Sequence, residues 1–356
     1  MATTTYGVND ALAVKLWAKT LAVEVLKATK IRPLIGPKPS NIIHYKTETK
    51  KSAGDKITFG LAMQLSGDGV TEGESAEGNE EALTTYDDAL YINELLHQVR
   101  VKKGIDAQRV PFVARDYAKD LLRDWWAKRY SVSFFNQVCG NTRQTNTKFT
   151  GLNAVAAPSS DNVLYAGSTK TDEGQTSSDI FTLDLIDKAK EKATMASPPL
   201  RPTMVNGEEL YVIYLHPYQI TDMRTNTSTG QWQDIQKAVM QGGKYGDSSN
   251  PIFSGSYGVY NGVVIRDAID IPTGTNSTTG AEVTTTRRAV VLGAQAAAFA
   301  NGRNGRKASY KWVEESFDYG RQVGISAQAI FGMKKCQFNS KDFGTIVVST
   351  YAAAHN

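Results

Sequence analysis

The residue types that most often carry catalysis or bind metals are few in this sequence and lie far apart. The candidates are His44, His97, His216, His355, Cys139 and Cys336. No histidine stands at metal-ligand spacing from a cysteine or an acid, and the two cysteines fit neither a zinc site nor a disulfide framework. The nucleophile elbow, the phosphate loop and the zinc-protease helix motif are absent from the sequence. We therefore expect no catalytic residue, no cofactor and no metal site.

Three further patterns could support an activity, and each has a plainer interpretation. Asp116 and Asp120 face one side of a predicted helix, as paired carboxylates of a hydrolase would, but the neighbouring cations make surface ion pairs the better account. His216 precedes Pro217 at the end of an apolar run, where capping or packing is the expected role. Residues 302–307 look like a phosphate-binding loop, yet no helix opens after them, so we interpret them as a basic surface turn.

The sharpest charge pattern is acidic. Between Ile57 and Val99 the sequence has nine acids and no lysine or arginine. We predict that this segment lies on the basic face of a long helix in a neighbouring subunit, where such charges fix register more than they add affinity. The intersubunit contact candidates are Glu72, Glu74, Glu77, Glu80 and Glu81 on the segment, and Arg115, Lys119, Arg123, Lys128 and Arg129 on the helix.

Two predicted strands must position the acidic segment. Residues 42–65 have strand character, with strict alternation from Ile57 to Leu65, and residues 83–101 return as strand. A polar, glycine-rich tip at 66–81 joins them. Two arms of roughly 18 residues would make a hairpin about 60 Å long, whereas a compact chain of this length has a radius of gyration of about 20 Å. The hairpin must therefore project from the body, unless it folds back as several short strands.

A long helix should follow the hairpin. Apolar residues recur every three or four positions across 109–137, and Gly140 suits the helix end. About 30 residues give a length of about 45 Å, and the aromatic pairs at 125–126 and 134–135 are interpreted as core and subunit contacts. The other predicted elements are helices at 10–30, 179–195, 218–224 and 231–241, strands at 210–215, 258–266, 289–292 and 345–351, and an exposed loop at 273–286.

Composition narrows the class of protein. The chain has 356 residues, of which 41% are hydrophobic and 21% charged, and its net charge is +4. These values are ordinary for a folded globular protein and too balanced for a dedicated DNA-binding protein. The sequence has no basic-apolar leader and no run of 18 apolar residues, so we expect neither a secretory signal nor a membrane span.

The ordered set of elements resembles the major capsid proteins of tailed double-stranded DNA bacteriophages, in particular the coat family of N-four-like phages. The resemblance spans nearly the whole chain and is carried by residues 112–118, 210–217, 332–335 and 342–344. It implies an α+β fold of the Hong Kong 97 type. The implied parts are an N-terminal arm (1–41), an extended β-hairpin loop or E-loop (42–104), a peripheral domain (105–202) with a spine helix (109–139), an axial domain (203–300) and a return to the peripheral domain (301–356).

The resemblance also implies a function. The protein should be a structural subunit, not an enzyme, that self-assembles into the pentamers and hexamers of an icosahedral head. The expected partners are further copies of the chain and non-specifically packaged DNA, with no membrane, and there is room for separate scaffolding, portal and decoration proteins. The expected location is the virion capsid, assembled in the host cytoplasm. An encapsulin-like shell of a cellular compartment stays open as the alternative, and an enzyme is the weakest hypothesis.

Overall fold

The structure is a computed structural model that describes residues 21, 24, 25, 31–48, 54–63, 65–73, 75–102, 114–205, 208–225, 257–302 and 310–355. Its helices are α1 Ala114–Val138, α2 Thr147–Thr150, α3 Leu183–Met195 and α4 Pro217–Thr225, with 3-10 turns at Arg32–Leu34 and Ser160–Asn162. Three described residues of the helix predicted at 10–30, namely Leu21, Glu24 and Val25, are helical. The helix predicted at 231–241 and the first turn of the one predicted at 109–137 lie outside the described residues.

The strands follow one another along the chain from the N-terminal region to the end. They are β1 Ile35–Gly36, β2 Ile43–Lys46, β3 Lys56–Ala62, β4 Thr85–Tyr91, β5 Asn93–Lys102, β6 Val163–Tyr165, β7 Thr203–Val205, β8 Glu208–Leu215, β9 Gly258–Tyr260, β10 Val263–Asp267, β11 Thr273–Thr275, β12 Glu282–Leu292, β13 Ala297–Asn301, β14 Tyr310–Phe317, β15 Gln322–Lys335, β16 Gln337–Phe338, β17 Lys341–Asp342 and β18 Thr345–Tyr351.

Two mixed sheets organise the described part of the chain. The first has the order β1-β2-β13-β15-β14, with β5 also paired to β15. The second has the order β6-β18-β12-β8-β10-β9, with β11 on β12 and β7 on β8. The last strand, β18, therefore joins the sheet built by the strands of 203–292 and not the first sheet. The division of the chain into peripheral and axial domains stays a prediction.

Helix α1 packs its apolar face against the first sheet. Trp126, Phe134 and Phe135 are fully buried, and the Trp126 ring meets Tyr310 of β14 edge-on at 5.3 Å between centroids. The helix ends where Gly140 adopts a φ of 65°. The Gly140 N–H donates to the Gln137 carbonyl and the next N–H donates to the Asn136 carbonyl, which is the Schellman pattern that glycine permits. The predicted core role of the aromatic pairs is thus confirmed for these three residues.

Strand β8 is apolar throughout because both of its faces are covered. Leu210, Val212 and Tyr214 point into the cluster that includes α1. The alternate residues, Ile213 among them, point into a second cluster that includes α3. Side chains alternate between the faces of a strand, so a strand buried on both sides must be a continuous apolar run. This confirms the prediction for 210–215.

Four predicted element boundaries are wrong. The two long arms of the hairpin are not paired along their length: only β3 and β4 pair with each other, and β5 crosses to β15 in the first sheet. The strand predicted at 258–266 is a tight hairpin whose turn is Asn261-Gly262, both at positive φ, as a two-residue primed turn requires. The loop predicted at 273–286 contains β11 and half of β12, and the helix predicted at 179–195 begins at Leu183.

Candidate functional site

The acidic segment forms the exposed end of the β3–β4 hairpin. The described residues from 65 to 85 are all exposed. The carboxylate of Glu81 accepts hydrogen bonds from the backbone N–H groups of Ser66, at 2.8 Å, and Gly67, at 2.7 Å. These bonds lower the pKa of Glu81 and tie the two ends of the tip together. Glu74 lies outside the described residues, whereas Glu72, Glu77 and Glu80 are exposed on the same tip.

The basic face of α1 is already engaged in contacts within the chain. The Lys119 ammonium lies 3.3 Å from the Glu24 carboxylate. Arg123 lies 2.9 Å from Asp124 and 3.6 Å from Asp120. The ion pair with Asp120 supports the surface interpretation of that carboxylate; the side chain of Asp116 lies outside the described residues.

Arg129 is held by a stack of rings. Its guanidinium lies 3.8 Å from the ring centroid of Phe149 and 4.7 Å from that of Trp125, whose indole stacks on His97 at 4.1 Å. Cation–π contacts of this kind fix a long side chain in place. Among the candidates on the helix, only Lys128 is exposed without an ion-pair partner in the described part of the chain, and the side chain of Arg115 lies outside it. Whether a neighbour's loop reaches this helix stays a prediction.

The histidines and cysteines have structural positions. His216 is 8% exposed, and its Nδ1 accepts a hydrogen bond from the Tyr218 N–H at the start of α4. Burial, together with the nearby Arg287, lowers the pKa of His216 to about 4. The predicted capping role is confirmed. Cys139 and Cys336 are fully buried and unpaired, and burial raises the pKa of each thiol to about 12.

The described ranges contain no group of three or more histidine, cysteine or acidic side chains that could hold a metal ion. No helix in the same ranges is long and apolar enough to span a membrane.

Two motifs that carry the resemblance, 332–335 and 342–344, meet in space. The Lys335 ammonium lies 2.8 Å from the Asp342 carboxylate, and their side chains are 1% and 0% exposed. Lys334 pairs with Asp88 of β4. Gly332 lies where a Cβ would clash with the Tyr91 carbonyl. These residues therefore fasten the base of the β3–β4 hairpin to the first sheet.

A third buried ion pair joins the second sheet to the end of α1. The Arg288 guanidinium lies 2.7 Å from Asp172 and also donates to the Gly140 carbonyl. Asp172 accepts further bonds from the Ser349 hydroxyl and the Thr275 N–H. Sequence reasoning missed all three buried pairs, because nothing local in the sequence marks a charge as buried. Only the adjacency of two lysines to a glycine in 332–335 hinted at a constrained segment.

Comparisons with known proteins agree with one another. A family model described as phage capsid protein matches residues 5–354. The major capsid protein of Pseudomonas phage KPP25 is 26% identical over 370 residues, which cover 95% of this chain and 94% of that protein. The capsid of Ralstonia phage GP4 superposes with a TM-score of 0.78 at 29% identity, over 91% of this chain and 90% of that one. The capsid of cyanophage Pam1 shares the fold, with a TM-score of 0.71 at 19% identity over 93% and 94%.

Proposed function

The chain belongs to the phage capsid protein family, and we propose that its copies form the hexamers and pentamers of an icosahedral head that encloses double-stranded DNA. The α+β capsid fold is the observation that carries this proposal, because it extends over 91% of the chain in the comparison with the phage GP4 capsid. The protein is a structural component of a virion. Assembly in the host cytoplasm, and separate scaffolding, portal and decoration proteins, belong to the proposal.

The β3–β4 hairpin supports assembly from many copies. It pairs over seven residues on each strand, and an isolated two-stranded hairpin is only marginally stable in water. Its base is anchored by Lys334 and by a small apolar cluster that includes Ile57 and Phe343. Beyond that base, the tip carries charge and exposed Leu65 and Leu83 into solvent. We propose that contacts with a neighbouring copy order this tip.

The competing functions have less support. An encapsulin-like shell would share the general fold, but the family match and the curated relative are both phage proteins. An enzyme is the least supported, since the family is one of structural capsid proteins.

Deleting the loop tip tests the proposal. We expect a variant lacking residues 66–81 to stay folded and to form no closed shells, because the body's buried contacts do not involve the exposed tip. Circular dichroism would report folding, and electron microscopy of assembled wild-type and variant protein would report shells. Normal shells from the deletion variant would contradict the role of the tip, and isolated wild-type monomers under every assembly condition would contradict the function itself.

Charge neutralisation tests the electrostatic part. Changing Glu72, Glu74, Glu77, Glu80 and Glu81 to glutamine should slow assembly at low salt. The difference should shrink at high salt, because exposed charges are screened beyond about 8–10 Å near physiological ionic strength. Glu191→Gln with Asp318→Asn, two exposed acids elsewhere, serves as the control. Equal light-scattering kinetics of the loop variant and the wild type at low salt would refute a charge-guided contact.

A further inference from the structure

Two adjoining depressions form one continuous groove beside the base of the β3–β4 hairpin. They share Ser197, Pro198, Lys341 and Asp342. The smaller depression has a volume of about 160 Å³ and an apolar lining. The side chains that form this lining are Leu61, Met63, Tyr86, Phe338 and Phe343. The larger has a volume of about 530 Å³ and is lined by Lys170, Lys192 and Met195 besides the shared residues.

The larger half of the groove carries an excess of positive charge. Lys170 is exposed and has no ion-pair partner in the described part of the chain. The Lys192 ammonium donates to the Val163 carbonyl at 2.9 Å, a neutral partner that leaves its charge uncompensated. Lys341 lies 3.3 Å from Asp161, and both side chains are at least half exposed. Asp342 is neutralised by its buried partner Lys335, so three cations face one free acid.

The groove also presents apolar surface to solvent. Met195, at the last turn of α3, is 79% exposed and lies next to Pro198 in the same lining. A large apolar side chain at this exposure, bordered by lysines, suits a ligand that has both apolar and acidic groups. The composition of the groove thus specifies a mixed, negatively charged peptide and not a small apolar molecule.

The loop tip of this same protein has the matching chemistry. Val70 is 41% exposed and stands between Asp68 and Glu72, two residues away on either side. The tip's own chain does not fill the groove, because all its described residues are exposed and Glu81 closes the tip on itself through Ser66. By contrast, most of the described cations on α1 are held within their own chain, as shown above.

We propose that this groove receives the acidic loop tip of a neighbouring copy, with Val70 against Met195 and with Asp68 and Glu72 near Lys170 and Lys341. The inference rests on the proposed shell assembly and names the surface that the loop uses. Complementary charge across the contact would set its register and hasten encounter.

Engineered cysteines test the contact in assembled shells. The native cysteines are buried, so a Val70→Cys, Met195→Cys variant presents one new thiol on the loop and one in the groove. After mild oxidation of shells, we expect covalent dimers and larger oligomers on non-reducing gels, at least tenfold above either single variant. The matched control pairs Val70→Cys with Lys128→Cys on α1, and it should give no excess over its single variants.

Each other outcome has a defined meaning. Shells that form without cross-links, links to position 128 instead, or links confined within one monomer would each overturn the groove as the receptor while leaving capsid function intact. Failure of the wild type to form shells under any condition would instead overturn the proposed function.

A charge reversal keeps the proposal testable if the cysteine variants do not assemble. Lys170→Glu with Lys341→Glu should reduce shell yield at low salt at least tenfold. Adding Asp68→Lys and Glu72→Lys should restore most of that yield. The control is Lys188→Glu with Lys190→Glu, which reverses two lysines of α3 outside the groove. No restoration by the compensating changes, or an equal loss in the control, would refute the contact.

Discussion

The buried pair of Lys335 and Asp342 provides the sharpest test of what holds the hairpin base in place. In the Lys335→Met variant, the aliphatic stem is replaced by a side chain of similar length, and only the cation is lost. The Asp342 carboxylate, which is 0% exposed, then keeps only its bonds from the Gln337 amide, at 2.7 Å, and the Ser159 N–H, at 3.2 Å. An anion would remain in a site closed to water.

The cost follows from the geometry. At 2.8 Å and an effective dielectric constant of about 20, the lost attraction is about 6 kcal/mol. Part of this is offset, because the ammonium of Lys335 no longer needs to be desolvated, an effect that lowers its pKa in the folded protein. We expect the free energy of unfolding to fall by about 3–5 kcal/mol, as for other broken buried pairs.

A matched control lies six residues further along the chain. Lys341 pairs with Asp161 at 3.3 Å, but the two side chains are 50% and 65% exposed. Lys341→Met should therefore lower the free energy of unfolding by less than about 1 kcal/mol. The same substitution in the same segment thus separates burial from charge.

The assay is denaturant unfolding of the unassembled subunit, followed by tryptophan fluorescence, with thermal unfolding as a second measurement. The expected decrease in Tm is about 5–10 °C for Lys335→Met, given about 2 °C for each kcal/mol in a chain of this size. Adding Asp342→Asn to Lys335→Met should recover at least about 1 kcal/mol, because the stranded charge is removed while an acceptor for Ser159 remains. Equal effects of the Lys335 and Lys341 substitutions would refute the reasoning.

Further predictions concern pH, packing and DNA. Because the folded-state pKa of His216 is about 4, below the usual 6.5, the folded protein prefers the neutral ring; stability should fall as pH decreases from about 6.5 to 4, by up to about 3 kcal/mol. His216→Asn keeps a capping acceptor, and its pH–stability curve should be flatter in that window; identical curves would contradict this. Gly332→Ala should destabilise the subunit by at least about 2 kcal/mol because its Cβ would meet backbone at Tyr91. Gly60→Ala, with only an ordinary contact there, should cost less than about 1 kcal/mol, and similar melting curves for the two would refute the close approach. Affinity for duplex DNA should be weak, strongly salt-dependent and independent of sequence; a salt-resistant preference for one site in a filter-binding assay would contradict it.

Periodicity was enough to locate the elements whose pattern is local. The long helix that ends at Gly140, the continuous apolar strand β8 and the C-terminal strand β18 all follow from side-chain spacing and turn residues. The ordered set of elements was also enough to indicate the capsid family, which the match over residues 5–354 confirms. The exposed acidic tip followed from composition, since nine acids without a nearby cation cannot be buried together.

The tertiary structure alone decided which strands pair and which charges are buried. The sequence around 83–101 is equally compatible with one long arm or with two strands, because alternation fixes a strand's faces but not its neighbour; β5 pairs with β15, more than 200 residues away in the chain. The lysines at 334, 335 and 341 look alike in sequence, yet one is 1% exposed and another 50% exposed. Burial depends on what distant segments cover, and only the packed chain brings Asp88 and Asp342 to their partners.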